Sequence, residues 1–333
     1  MALAYNKEAA DDWKTKHGQE THLQFFSPDP NFVMSERIQH KFERVSMRRQ
    51  FSPQNIYLSG EAGTGKTSLA LQYAALSGSP TYKAPCPAMK EVGQWMGRMA
   101  YSPDKGTYYI SSLFAEAVET PYSVVILNDI TRVENPKVLN PLMDLLDDTR
   151  ETEVMELDRR LSVAPGVVFI ATANEGWEYT GADDPDKALK NRFEILYIPL
   201  PPADILRDIV HTKVGESQAI NEGISYFLEC LQKGIKLSVR HILRLAEDIR
   251  YGASLLDAAM LGMLGDITDE QRVQALQLLQ IRTGITTQGI EDKWVPWLNI
   301  DTGWQGASDH ITNRSQWEPY KRTEAEATDS VRW

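Results

Sequence analysis

The 333-residue sequence contains little cysteine and no long apolar stretch. No apolar run reaches the roughly 18 residues that a membrane-spanning helix needs, which excludes such a helix. Residues 1–7 also lack the apolar stretch of a secretory signal. Cys86 and Cys230 have no metal-ligand spacing and offer no disulfide framework. These absences predict a cytoplasmic protein in a reducing setting, without a membrane span.

Positive charge is scarce as well. Lysine and arginine number 35 against 46 aspartates and glutamates, which gives a formal net charge of −11. Because phosphate contacts need clustered lysine and arginine, a general nucleic-acid binder is disfavoured, although a local basic patch in the lumen of a ring is compatible with this charge. Hydrophobic residues make up 42% of the chain, as in folded soluble proteins.

Short apolar runs alternate with helical segments in the first two hundred residues. The predicted strands are 56–58, 124–127, 167–170 and 194–198. Continuous apolar strands separated by helices are typical of a parallel α/β sheet. After Pro201 and Pro202 the strand signal ends, and helices are predicted near 203–213, 218–232, 239–250, 253–264 and 269–282.

The predicted fold class is therefore α/β, with a parallel sheet followed by a small all-α lid. The sequence divides into an N-terminal extension (1–50), an α/β core (51–202), a helical lid (203–288) and a C-terminal tail (289–333). The tail holds five of the eight tryptophans. They either strap the tail across the core or anchor a partner, since tryptophan is enriched in binding hot spots.

The strongest motif follows the first predicted strand. Residues 60–67 read Gly-Glu-Ala-Gly-Thr-Gly-Lys-Thr and fit the phosphate-loop pattern G-x-x-x-x-G-K-[ST]. Its glycines let successive N–H groups converge on phosphate oxygens, and the next helix adds a partial positive charge. Lys66 is expected to bridge the β- and γ-phosphates, and the Thr67 hydroxyl to coordinate Mg²⁺. The motif predicts binding of ATP with Mg²⁺ by Gly60, Glu61, Ala62, Gly63, Thr64, Gly65, Lys66, Thr67 and Ser68.

With this loop and the motifs after it, residues 30–285 resemble the AAA+ ATPases, specifically the MoxR-like branch that carries an insert in its second helix. Segments 91–98 and 106–115 resemble that insert, which faces a central pore in the family. The resemblance makes Tyr101, Tyr108 and Tyr109 candidate substrate contacts, with ordinary packing as the alternative.

Residues 124–132 stand where the family has an apolar strand that ends in Asp-Glu. The first acid orients Mg²⁺ and the second polarises the attacking water. Here the pair is Asn128 and Asp129. One register gives Asn128 the metal position and Asp129 the catalytic one; the other gives Asp129 the metal position and Ile130 the catalytic one. The first is preferred because residues 130–132 then match the family's Ile-Asn-Arg, and both predict slow hydrolysis.

Later motifs complete the resemblance. Residues 154–163 resemble the hairpin before sensor 1, and Asn174 resembles the sensor 1 residue that orients water. Arg192 resembles the finger that acts on a neighbouring subunit's nucleotide, and Arg240 resembles sensor 2. Arg150 is a weaker interface candidate. The resemblance implies catalytic roles for Asn128, Asp129, Asn174, Arg192 and Arg240, with metal contacts from Thr67 and Asp129.

The leading hypothesis is a ring-forming ATPase, a homohexamer, that remodels or matures another protein. Relatives often act with a partner that carries a von Willebrand A domain, so the resemblance implies such a partner. A nucleic-acid motor or loader is the second hypothesis, and DNA-stimulated hydrolysis would favour it. A nucleotide-controlled scaffold with weak hydrolysis is the third, motivated by Asn128 and Asp129.

Overall fold

The computed structural model describes residues 5–154, 159–174 and 187–284. Its centre is a five-stranded sheet in which every neighbouring pair is parallel, which confirms the predicted fold class. The strands are β1 (Gln54–Ser59), β2 (Thr81–Pro85), β5 (Val124–Asn128), β8 (Val168–Thr172) and β9 (Glu194–Tyr197), in the spatial order β2-β5-β8-β1-β9. Two antiparallel hairpins lie outside it, formed by β3 (Gly97–Ser102) with β4 (Gly106–Ser111) and by β6 (Glu151–Val154) with β7 (Arg159–Ser162).

Helices flank this sheet and make up the described chain beyond residue 202. They are α1 (Lys7–His17), α2 (Glu36–Arg48), α3 (Lys66–Leu76), α4 (Gly93–Met96), α5 (Leu113–Glu119), α6 (Asn140–Leu146), α7 (Lys187–Lys190), α8 (Ala203–Lys213), α9 (Gln218–Gln232), α10 (Val239–Arg250), α11 (Leu255–Ala258) and α12 (Asp269–Thr283). Short turns of other helix types span Cys86–Ala88, Ile130–Arg132, Pro136–Leu139 and Ala259–Met263.

The two faces of the sheet bury two apolar clusters. Ile126 and Ile170 point towards α2 and α3, where they pack with Tyr73. Their strand neighbours Val125 and Phe169 point to the opposite layer. Because both faces are covered, the central strands are apolar without alternation, which is why the sequence reveals them as continuous runs.

The N-terminal segment covers one edge of the sheet. Gln24 forms an antiparallel bridge with Thr81 of β2, and Trp13 donates from Nε1 to the Pro121 carbonyl at 3.2 Å. Trp13 and Phe25 are buried. A covered edge strand cannot recruit foreign strands, so this extension protects the fold.

The residues up to Arg272 form one compact unit, and a second unit begins at Val273. This division falls inside the predicted lid (203–288) and coincides with none of the predicted boundaries after residues 50, 202 and 288, which stay predictions. The tryptophan-rich tail lies outside the described residues, as does the tip of the second hairpin. Within the described ranges, no helix is long and apolar enough to cross a membrane.

Candidate functional site

A cavity of about 710 Å³ opens where β1, β5 and β8 end. Side chains at the carboxyl ends of parallel strands meet along one edge, which is where open α/β sheets bind ligands. The phosphate loop from Ala62 to Ser68 lines this cavity. Gly60 and Glu61 do not line it, but their carbonyl oxygens hold the lysine of the loop.

Three glycines give the loop its shape. Gly60, Gly63 and Gly65 have φ values of 144°, 76° and 90°, which L side chains rarely adopt. A Cβ at Gly60 would lie 2.3 Å from the Ile198 carbonyl oxygen, so only glycine fits there. Gly65 then places the N-terminus of α3 at the cavity, where unpaired N–H groups favour an anion.

The ammonium of Lys66 lies inside this loop. Its Nζ donates to the carbonyl oxygens of Gly60 at 2.9 Å and Glu61 at 2.6 Å. The side chain is buried, so the loop concentrates a fixed positive charge beside its N–H groups. This arrangement fits a phosphate chain.

The cavity is lined by both cationic and apolar side chains. The cations are Lys66, Lys83, Arg132, Lys213 and Arg240, and the only carboxylate among the described lining residues is Asp129. The apolar lining combines N-terminal and lid residues: Phe32, Val33, Met34, Ile38, Ile205, Ile209 and Leu243. Small-molecule sites combine apolar walls with a few polar anchors, and this mixed lining suits a ligand that has both an apolar base and phosphates.

Asn128 is the last residue of β5 and contacts the phosphate loop directly. Its Oδ1 accepts a hydrogen bond from the Thr67 hydroxyl at 2.8 Å, and its Nδ2 donates to Asp129 Oδ2 at 3.3 Å. Asp129 has a φ of 53°, and its N–H donates to the Thr172 hydroxyl at 3.0 Å. Ile130 is 1% exposed and lies in the core, away from the cavity. These contacts favour the register in which Asn128 has the metal position.

Thr67 and Asp129 could hold Mg²⁺ here, because a hydroxyl and a carboxylate oxygen suit this hard cation. The donor set carries little negative charge. Within the described part of the chain, no group of three or more histidine, cysteine, aspartate or glutamate side chains is arranged to hold a metal ion. An ion at Thr67 would therefore depend on phosphate oxygens and water for its remaining ligands.

The structure brings two further predicted residues to the same cavity. Asn174 follows β8 by two residues, and Arg240 lies in the first turn of α10. Ser238, which precedes that helix, lies against Gly63 of the phosphate loop. The lid therefore contacts the loop directly and presents Arg240 to the cavity.

Arg192 does not line this cavity. Its Nη2 pairs with Asp147 Oδ2 at 2.8 Å, and its Nη1 donates to the Ala188 carbonyl at 2.7 Å. The Nε is buried and finds no hydrogen-bond partner among the described residues. A residue that acts on a neighbouring subunit must lie outside its own cavity, and Arg192 does.

Arg150 packs inside the subunit. Its guanidinium donates to Asn55 Oδ1 at 2.9 Å and to the Val167 carbonyl at 3.3 Å, and it lies 5.3 Å from the centre of the Phe169 ring. Burial lowers the pKa of Arg150 to about 10. These contacts account for Arg150 by packing and give no support to an interface role.

The three candidate pore tyrosines occupy different settings on the hairpin of β3 and β4. Tyr101 is 74% exposed. The Tyr109 hydroxyl donates to the Met96 carbonyl, and its ring covers Gly97. Tyr108 lies beneath the Lys105 ammonium, 5.7 Å from it. Tyr101 therefore keeps its candidacy as a substrate contact, whereas the packing alternative describes Tyr109.

The comparison with known proteins agrees with this geometry. Residues 55–193 match the family model of the AAA domain, dynein-related subfamily. The candidate chaperone BssE of Thauera aromatica is 34% identical over 266 residues, which cover 78% of this chain and 91% of BssE. The chain belongs to the AAA+ ATPases, in their dynein-related, MoxR-like branch. Membership of this family implies that the chain binds a nucleotide.

Two further similarities have lower sequence identity. An uncharacterized protein of Staphylococcus haemolyticus, SH1500, is 29% identical over 181 residues, which cover 54% of this chain and 68% of that protein. The solved structure of the Thermotoga maritima RuvB Holliday junction branch migration motor has a TM-score of 0.44 and 18% identity, covering 79% of this chain and 78% of RuvB.

Three cationic residues of the cavity in this AAA+ protein were not predicted from the sequence as site residues: Lys83, Arg132 and Lys213. Lys83 lies on β2, Arg132 in the turn after β5, and Lys213 at the end of α8. Arg132 carried a signal, because it closes the segment that matches the family's Ile-Asn-Arg. Lys83 and Lys213 carried none, since no local pattern distinguishes them from surface lysines.

Proposed function

We propose that this chain binds ATP in the cavity at Lys66 and hydrolyses it slowly with Mg²⁺, as a subunit of a hexameric ring that remodels or matures another protein. The observation that carries the proposal is the joining of the phosphate loop, a cationic lining and an apolar lining in one cavity. An ATP molecule has the matching distribution of charge and apolar surface.

Different side chains of the cavity take different roles in the proposed hydrolysis. Lys66 and Arg240 neutralise phosphate oxygens and fix their position. Asn174 orients the attacking water, and Asp129 accepts its developing proton. Mg²⁺ held at Thr67 and Asp129 supplies further charge neutralisation when bound. Because Asp129 is one methylene shorter than the family's glutamate, its carboxylate is less well placed, and turnover is expected to be slow.

Assembly into a ring is supported by the position of Arg192. The residue is paired with Asp147 outside its own cavity, where it is accessible to a neighbouring subunit. A guanidinium with fixed charge is suited to the γ-phosphate of that neighbour. The nucleotide therefore links adjacent subunits, as the family resemblance implies.

A protein substrate is supported by two observations. BssE, a relative that matches 78% of this chain, is named as a candidate chaperone. The hairpin of β3 and β4 also carries the exposed Tyr101, and it belongs to the segment that resembles the family's insert. A partner with a von Willebrand A domain is a suitable candidate for pull-down and mass spectrometry.

The first experiment measures ATP binding by calorimetry and particle mass with and without ATP. Lys66→Ala is expected to abolish binding, and ATP is expected to raise the mass of the wild type to that of a hexamer. Arg192→Ala should retain ATP binding by the subunit but lose turnover in the assembly, whereas Arg207→Ala, an exposed arginine of the lid, should behave as the wild type. Wild-type turnover in assembled Arg192→Ala would refute the proposed action in trans.

A nucleotide-controlled scaffold is a second candidate function, because Asn128 supplies no negative charge at the metal position. It predicts tight ATP binding, assembly on ATP and negligible release of phosphate. Brisk steady-state hydrolysis by the wild type eliminates this candidate and leaves the ATPase.

A further inference from the structure

The cavity lining contains more cationic side chains than the predicted phosphate contacts account for. Lys66 and Arg240 belong to the predicted phosphate contacts, and Lys213 is paired with Asp29 at 3.3 Å. Lys83 and Arg132 remain. Their side chains are exposed, and each lacks an ion pair within the described residues.

Lys83 lies beside the metal position. Its strand, β2, pairs with β5 in a register that sets Lys83 against Ile126 and Pro85 against Asn128. Residues two apart on a strand share a face, so Lys83 and Asn128 lie on the same face of the sheet as diagonal neighbours. Arg132 closes the turn that begins at Asp129 and also lines the cavity. Both cations therefore line the same cavity as Asn128, which stands where the family places a metal-orienting acid.

At the same point the negative charge is missing. Asn128 is neutral, and its Nδ2 donates to Asp129, the single carboxylate among the described residues of the lining. A divalent cation gains least where anionic ligands are absent and nearby ammonium and guanidinium groups repel it. A polyphosphate gains most from the same groups.

We propose that Lys83 and Arg132 neutralise the triphosphate in place of Mg²⁺, so that this site binds ATP with nearly equal affinity in the presence and absence of the metal. The inference rests on the proposed ATP binding and adds a property to it. Mg²⁺ is then required for cleavage and not for binding. Lys83 and Arg132 are binding residues for the phosphate chain.

The test is calorimetric titration with ATP, in excess Mg²⁺ and in excess EDTA. The wild type is expected to change its Kd by less than about fivefold between the two solutions. The double variant Lys83→Gln with Arg132→Gln should weaken binding in EDTA by about tenfold or more, which corresponds to about 1.4 kcal/mol, and should regain part of it in Mg²⁺. The matched control, Lys233→Gln with Arg207→Gln, removes the same charge from exposed positions outside the cavity and should bind as the wild type.

Restoring the acid provides an independent check. Asn128→Asp is expected to weaken binding in EDTA and to strengthen it in Mg²⁺, which makes the affinity dependent on the metal. Wild-type binding that falls by more than about fivefold in EDTA, or a cavity double variant that matches its control, overturns this inference and leaves ATP binding intact. Absence of binding in both solutions overturns the proposed function as well.

Discussion

Gly63 is the point at which the lid contacts the phosphate loop. A Cβ at Gly63 would lie 2.6 Å from the Ser238 hydroxyl oxygen and 2.7 Å from the Ser238 Cβ. Ordinary contacts between carbon atoms are about 3.5–4.0 Å, so Gly63→Ala must move the start of α10 by roughly 1 Å and carry Arg240 with it. Gly65 offers a matched control, because it has a similar positive φ and a Cβ added there would meet no atom within 4 Å.

The two variants separate backbone strain from the lid contact. Alanine in the left-handed conformation costs about 1–2 kcal/mol, which is the whole expected effect of Gly65→Ala. Gly63→Ala adds an overpacking cost of about 1–3 kcal/mol, so its free energy of unfolding should fall by about 2–5 kcal/mol. Urea unfolding of nucleotide-free protein measures both values, and hydrogen exchange reports on α10. Equal losses of stability, with unchanged exchange in α10 for both variants, would refute the contact.

Three further predictions test other parts of the molecule. Asn128→Asp combined with Asp129→Glu restores the family's acids and should raise steady-state phosphate release at least about tenfold, since a positioned base contributes ~10²–10⁴-fold; an unchanged rate contradicts the preferred register. Tyr109→Phe removes a hydrogen bond to a main-chain carbonyl and should lower the free energy of unfolding by about 1 kcal/mol. Its control, Tyr101→Phe, should change that free energy by less than ~0.5 kcal/mol, and urea unfolding measures both values. Burial raises the pKa of the Cys86 thiol from 9.0 to about 12, so native protein should react slowly with iodoacetamide near neutral pH. Because the native pKa is raised, the stability present below pH 9 should be lost as pH rises from 9 towards 12, and Cys86→Ala should lack this decline.

The sequence predicted four of the five strands of the parallel sheet and missed β2. The runs 124–127 and 167–170 correspond to β5 and β8, which are covered on both faces. β2 was missed because its residues, Thr-Tyr-Lys-Ala-Pro, form no continuous apolar run and include Lys83, which lines the cavity. A strand whose polar residue serves a site loses the apolar signal by which strands are recognised.

The site divides in the same way between local and non-local information. The phosphate loop was predictable because eight successive residues carry its whole geometry. The cationic lining was not, because Lys83, Arg132 and Lys213 come from β2, a turn and the lid, and they meet only in the folded chain. The inward direction of Arg150 was equally hidden, since its partner Asn55 is 95 residues distant in sequence.

The two registers differ in which residue, Asn128 or Asp129, has the metal position. In sequence, Asn128 and Asp129 compete for the metal position, and the match of residues 130–132 to the family's Ile-Asn-Arg favours Asn128. In the structure, Asn128 is the last residue of β5 and accepts a hydrogen bond from the Thr67 hydroxyl at the start of α3, which supports the same register. Asp129 follows in a left-handed conformation and also lines the cavity. The neutral Asn128 therefore contacts Thr67 at the position where the preferred register expects an acid, in a cavity that Lys83 and Arg132 also line. The roles proposed for Lys83 and Arg132 imply that binding of the nucleotide and its cleavage are separable properties of one cavity.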